Sequence, residues 1–134
     1  MNTKTLIGGL MGGVVYFLLG MLVYQFLMKD MMASNMNCMR PEAEMSLPLG
    51  IVANLLWGLF LAFVLSKWQN VNSFGSGLQA GALFTAALAV AVDVGFYAYS
   101  TLFNSWSGVA IDVVVNVVMG AIVGGVIGWW FGRK

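Results

Sequence analysis

Two carboxylates carry most of the chemistry that this sequence can offer. Asp93 and Asp112 each interrupt a long apolar run that contains no Lys or Arg. An acid at membrane depth costs ~2.5–3.5 kcal/mol on an insertion scale, so each needs a partner, a counter-ion or water. Two acids brought close in a low dielectric cannot both hold charge cheaply, so a proton, a cation or a wet pocket must compensate them. Asn116, four residues after Asp112, and Asn54 add neutral amide oxygens, while Tyr97, four residues after Asp93, and Tyr24 add hydroxyls. The set Asp93, Asp112, Asn116, Asn54, Tyr97 and Tyr24 suits a proton, a hard monovalent cation or an amine. It lacks the several carboxylates of a tight calcium site. The plainer reading is interhelical hydrogen bonding, worth ~1 kcal/mol per bond.

A second group of candidate ligands is Met32, Met36, Cys38 and Met39. Thioethers and a thiolate are soft ligands that suit Cu(I). With no His and no repeated Met-x-x-Met array, packing against apolar surface explains the methionines more simply. Met28, Met32, Met36 and Met39 would share the face of a short surface helix. No cofactor is expected. Nothing in the sequence supports an enzyme: it has no His, one Cys, and no phosphate-binding glycine loop.

These residues need elements to hold them. Of 134 residues, 60% are hydrophobic and 8% charged, with a mean hydropathy of +0.89. That lies outside the range of soluble domains. Four stretches reach the ~20 apolar residues of a membrane-spanning helix, near 5–28, 47–68, 75–103 and 107–131. The prediction is an all-α, polytopic membrane protein, with residues 1–134 forming one four-helix transmembrane bundle. The first run is too long for a typical signal-peptide core and reads as a retained helix. A formal net charge of +1 without a basic tract gives no reason to expect nucleic acid.

Lys4, Lys67, Arg133 and Lys134 fall on one side of such a bundle, free of acids. On the other side Lys29 and Arg40 are diluted by Asp30, Glu42 and Glu44. The positive-inside rule then predicts that both termini are cytoplasmic. At ~1.5 Å per residue, Asp93 lies ~16 Å and Asp112 ~12 Å from the turn at Asn104, so both fall in the outer half. Asn54, Tyr24 and Gln25 fall in the same layer.

Spacing assigns faces. Asp112, Asn116, Gly120, Gly124 and Gly128 recur every four residues, as do Gly8, Gly12, Tyr16, Gly20 and Tyr24. Four-residue steps keep roughly one helix face. Glycines there let backbones approach where lipid supplies no hydrophobic drive. Glycine-tight packing in the cytoplasmic half and bulky polar groups above it predict a bundle splayed toward the outside. An internal repeat is also legible: Asn54, Gly58 and Trp68 match Asn116, Gly120 and Trp130, and Gly20 and Tyr24 match Gly95 and Tyr99. The two hairpins would then be parallel repeats.

Leu19-Gly20-Met21-Leu22-Val23-Tyr24, the Leu102-Phe103-Asn104 turn and Met119-Gly120-Ala121-Ile122 resemble a family of small bacterial four-helix membrane proteins of unknown function. The sequence departs from that pattern at Val23, in place of Trp, and near Asp112, in place of a Tyr-His neighbourhood. The resemblance implies an inner-membrane four-helix protein and no established activity. Two functional readings stand. One is a membrane protein that binds or transports a cation or small polar solute through an outward-facing polar pocket. The other is a structural or assembly protein whose glycine faces join a second copy or another membrane protein. The lipid bilayer is the partner common to both.

Overall fold

Each apolar run folds into a helix, since a backbone in lipid must satisfy its own hydrogen bonds. The computed structural model describes residues 1–27, 29–30 and 42–134. Helix α1 (Thr3–Gly20) starts at Asn2, whose side chain accepts from the Thr5 amide at 2.8 Å. It continues as a π-helical segment, Met21–Leu27. Helix α2 (Leu47–Lys67) opens with Pro48, where a missing N–H costs nothing. Helix α3 (Phe74–Tyr99) starts at a reciprocal Ser73–Ser76 capping box. Helix α4 (Trp106–Gly132) completes the bundle. The cluster Met32, Met36, Cys38 and Met39 lies outside the described residues.

All four helices are long and apolar enough to cross a membrane. The spans of 26 and 27 residues for α3 and α4 are ~39 and ~40 Å long against a hydrocarbon core of ~30 Å. These two therefore tilt or project beyond it. Helix α3 ends at Tyr99, four residues earlier than the sequence pattern suggested. The Ser100 hydroxyl donates back to the Phe96 carbonyl at 2.6 Å, and the chain turns so that Phe103 is buried in the α3–α4 connection.

Two antiparallel pairs form, and glycine decides both. In the α1/α2 pair, a Cβ on Gly9 or Gly13 would lie 2.7 Å from the Cα of Leu59 or Leu55. Gly58 answers from α2, with the Gly9 carbonyl and the Gly13 backbone against it. In the α3/α4 pair, Gly77 and Gly81 meet the backbone of Gly120, Gly124 and Gly128. The neighbouring glycines of α1 join the pairs: Gly12 packs on Val123 and Ile127, and Gly8 on Trp130 and Phe131. The G-x-x-x-G pair Gly9/Gly13 thus faces α2, and its neighbour Gly8/Gly12 faces α4. Between α2 and α3 the closing contact is aromatic, Trp57 and Phe60 against Phe84 at 6.4 and 5.9 Å.

The core of Leu61, Ala62, Leu65, Ala80, Val123 and Ile127 sits in the half nearer the termini. Toward the other end Leu22, Phe26, Leu49 and Val52 are exposed. The π-helical segment packs closely on no helix but α1. The backbones are in close contact toward the termini, and at the far end the π-helical segment stands away from α2, α3 and α4. Of the repeat, the Asn54/Asn116 half has a structural echo, since each amide donates to the carbonyl four residues back, Gly50 and Asp112. The Gly20/Tyr24 half does not: Tyr99 is 93% exposed and Gly95 faces open space.

Candidate functional site

From its N-cap Ser73, helix α3 continues through Gly77, Gly81, Thr85, Ala89 and Asp93 at four-residue spacing, and its partner α4 carries the stripe from Asp112 to Gly128. The stripes mesh as one seam. Gly128 meets the Ser73 carbonyl and Gly77, Gly124 meets Gly77 and Gly81, and Gly120 meets the Thr85 side chain. Beyond Thr85 the seam ends in Asp93 and Asp112, whose carboxyls lie within hydrogen-bonding reach of each other. Asp93 is six residues before the end of α3 and Asp112 six after the start of α4, each ~9 Å along its helix. With the overhang of these helices shared between both ends, the pair lies ~4–5 Å inside the hydrocarbon boundary.

Asn116 links this pair to α1. Its Nδ2 donates to the Asp112 Oδ2 at 2.9 Å and to the Asp112 carbonyl at 2.8 Å. Its Oδ1 accepts from the Tyr16 hydroxyl at 3.1 Å. Tyr24, on the π-helical segment, comes within hydrogen-bonding reach of the same amide. A π segment widens the helix and is frequent at functional sites. Here it stands off from the other helices, and only the length of the Tyr24 side chain spans the gap. Three helices therefore supply one polar series, Tyr16 to Asn116 to Asp112 to Asp93.

One acceptor in this series stays open. Asp93 is 7% exposed, and its Oδ2 has no hydrogen-bond partner. Buried polar groups are paired in nine cases of ten or better, so each exception needs a reason. Two others lie nearby in the fold, the Thr85 hydroxyl and the Trp57 indole N–H. The Trp57 ring lies tilted against the Tyr16 ring, centroids 6.1 Å apart, so the aromatic closure and the polar series meet at Tyr16.

The structure thus brings Asp93, Asp112, Asn116 and Tyr24 together. Asn54 is placed elsewhere: its amide is engaged within α2, at the Gly13 contact. Tyr97 packs its ring on Trp106, with centroids 4.3 Å apart, rather than reaching toward Asp93. Gln25 is exposed. Tyr16 was missed as a site residue although it stands in the four-residue series with Tyr24. Tyr16 stands about two turns before Tyr24, and its hydroxyl crosses that interval to reach Asn116. No group of three or more His, Cys, Asp or Glu among the described residues could hold a metal ion.

At the opposite end, Lys4 donates to the Arg133 carbonyl, and the Trp130 indole donates to the Lys4 carbonyl at 2.9 Å. A cavity of about 390 Å³ opens there between Asn2, Lys4, Ser66 and Asn72. Lys4 is the one cationic group in its lining. Comparison of the chain with family models, with curated proteins and with solved structures gives no match.

Proposed function

We propose that this multi-pass membrane protein binds, and passes between the bilayer's outer face and its interior, a cation or small polar solute at the Asp93–Asp112 pair. The observation that carries the reading is the open Asp93 Oδ2 at the end of a paired polar series. Hydrogen-bonding glue satisfies its own members, whereas an acid left with a free buried oxygen is suited to something that comes and goes. Intramembrane acids are costly, and a functional role is the default explanation for them. The looser packing around the site gives an entry route, and the glycine-tight half below it gives a floor.

The glycine stripes that motivated an assembly role are occupied within a single chain, at the α1/α2 and α3/α4 seams. They leave no comparable stripe for a partner among the described helices. In the same proposal the membrane is the plasma membrane and both termini are cytoplasmic. Lys4, Lys67, Arg133 and Lys134, which share the end away from the acids, support that orientation. With Cys38 replaced by Ser, a cysteine at Asn104 should react with an impermeant thiol reagent on intact cells, and one at Gln69 only after lysis. The reverse pattern overturns the orientation.

The site is tested by Asp93→Asn and Asp112→Asn, singly and together, in full-length protein purified in detergent. Thermal unfolding is followed across pH and against sodium, potassium, ammonium and small amines. The parent should be stabilised by at least one of these variables, by RT ln(1 + [L]/Kd). The double variant should remain folded, since Asn still hydrogen-bonds, and lose that response. A double variant that keeps every response of the parent makes the acids structural and ends the proposal.

A further inference from the structure

The donor directions around the acid pair narrow what it takes. Asn116 turns its N–H group, not its oxygen, toward Asp112, and its oxygen is already used by the Tyr16 hydroxyl. Asp112 Oδ2 accepts from Asn116, and the two carboxyls meet each other. A carboxylate has no hydrogen to give, so a hydrogen bond between two of them requires one proton. Of the pair's fully buried oxygens, the one left without a partner is Asp93 Oδ2. A hard metal cation needs a shell of about six oxygens. The other oxygens that the sequence offered, those of Asn54, Asn116 and Tyr97 among them, are not assembled around this point.

From this geometry we infer that the species held at the site is a proton, shared between Asp93 and Asp112 and positioned by the Tyr16–Asn116 hydrogen-bond series. The inference rests on the functional reading above and names its ligand. The amide donation marks Asp112 as the acceptor of the pair, leaving Asp93 to carry the hydrogen. The open Oδ2 is then a neutral carbonyl oxygen, far cheaper to bury unpaired than a charged one. The groups facing the pair fit this. Tyr16 comes from α1 and Tyr24 from its π-helical continuation. On α3 the nearest other titratable group is Tyr97, stacked on Trp106, and α4 adds none beyond Asp112 until Arg133 at its far end. The one charged residue of α2, Lys67, lies over the Phe63 ring, also at the far end. Lys4, Lys67, Arg133 and Lys134 lie at the opposite end, and a proton shared between the carboxyls compensates the pair.

Infrared spectroscopy of the full chain in detergent reads the proton directly, through the carbonyl stretch of an un-ionised carboxyl group. At neutral pH the parent should show one such group per chain. It should disappear on alkaline titration, shift in frequency in Tyr16→Phe, and be absent from Asp93→Asn/Asp112→Asn. Its titration midpoint should not move with sodium or ammonium, whereas a competing cation shifts it by about one pH unit per tenfold rise in concentration. A midpoint that follows a cation, or no protonated carboxyl at neutral pH together with stabilisation by a cation, overturns the proton while leaving the cation site standing. Absence of both the band and any cation response overturns both. Should the double variant fail to fold, the alkaline titration and the Tyr16→Phe shift in folded protein decide the matter alone.

Discussion

Gly124→Ala adds one methyl group where two backbones touch. Its Cβ would lie 2.8 Å from the Gly81 Cα and 3.2 Å from the Gly81 amide nitrogen, and closer still to the Gly77 carbonyl oxygen. The favoured separation of carbon atoms is ~3.5–4.0 Å, so α3 and α4 must part by roughly 0.7 Å at this level. A gap of that size forfeits about a quarter to a half of each contact well along the seam. Overpacking costs ~1–3 kcal/mol, and the upper part applies because neither backbone can rotate away. Alanine returns up to ~1 kcal/mol of helix propensity, leaving a net loss of ~1–2 kcal/mol. Gly95→Ala is the matched control: nothing lies within 4 Å of its Cβ, so the propensity gain alone remains. Thermal or detergent-induced unfolding of the two variants should separate them by ~2–3 kcal/mol, the sum of that loss and that gain. Equal stability of the two would refute the glycine seam, and with it the face assignment that brings Asp112 to Asp93.

Gly58→Ala should cost at least as much as Gly124→Ala, because its Cβ meets the backbone of both Gly9 and Gly13; unfolding in the same detergent measures it. In contrast, Gly125→Ala meets only the Phe74 ring, at 2.7–3.0 Å, and Phe74 is 47% exposed and free to swing. Its unfolding should stay within ~1 kcal/mol of the parent, and a larger loss would show that the ring is held. Tyr16→Phe removes the donor to Asn116 and should cost ~0.6 kcal/mol, at most ~1.7, by the same measurement. Asn70 holds a φ of 65° in the α2–α3 connection. Asn70→Gly should therefore be neutral, and Asn70→Val should lose ~1–2 kcal/mol, with equal stabilities counting against that conformation.

The four spans were legible from length and apolarity alone, because lipid leaves a crossing chain little choice but the helix. The four-residue spacing from Asp112 to Gly128 likewise fixed one face of α4, and the similar distances of Asp93 and Asp112 from their turn put them in one layer. Where α3 stopped was less legible, since Ser100 bonding to the Phe96 carbonyl is a local competition that hydropathy does not register. Only the tertiary structure decided which helix each face meets. Periodicity fixes the angle of a residue about its own axis, and says nothing of the neighbour at that angle. Gly9/Gly13 and Gly8/Gly12 are equivalent as patterns, yet one receives α2 and the other α4, according to which partner offers a glycine and which a branched side chain. The same holds for the polar series. Tyr97 is nearer to Asp93 in sequence and Asn54 matches Asn116 in pattern, but Tyr16 completes the series because the α1/α4 contact brings its hydroxyl to the Asn116 oxygen.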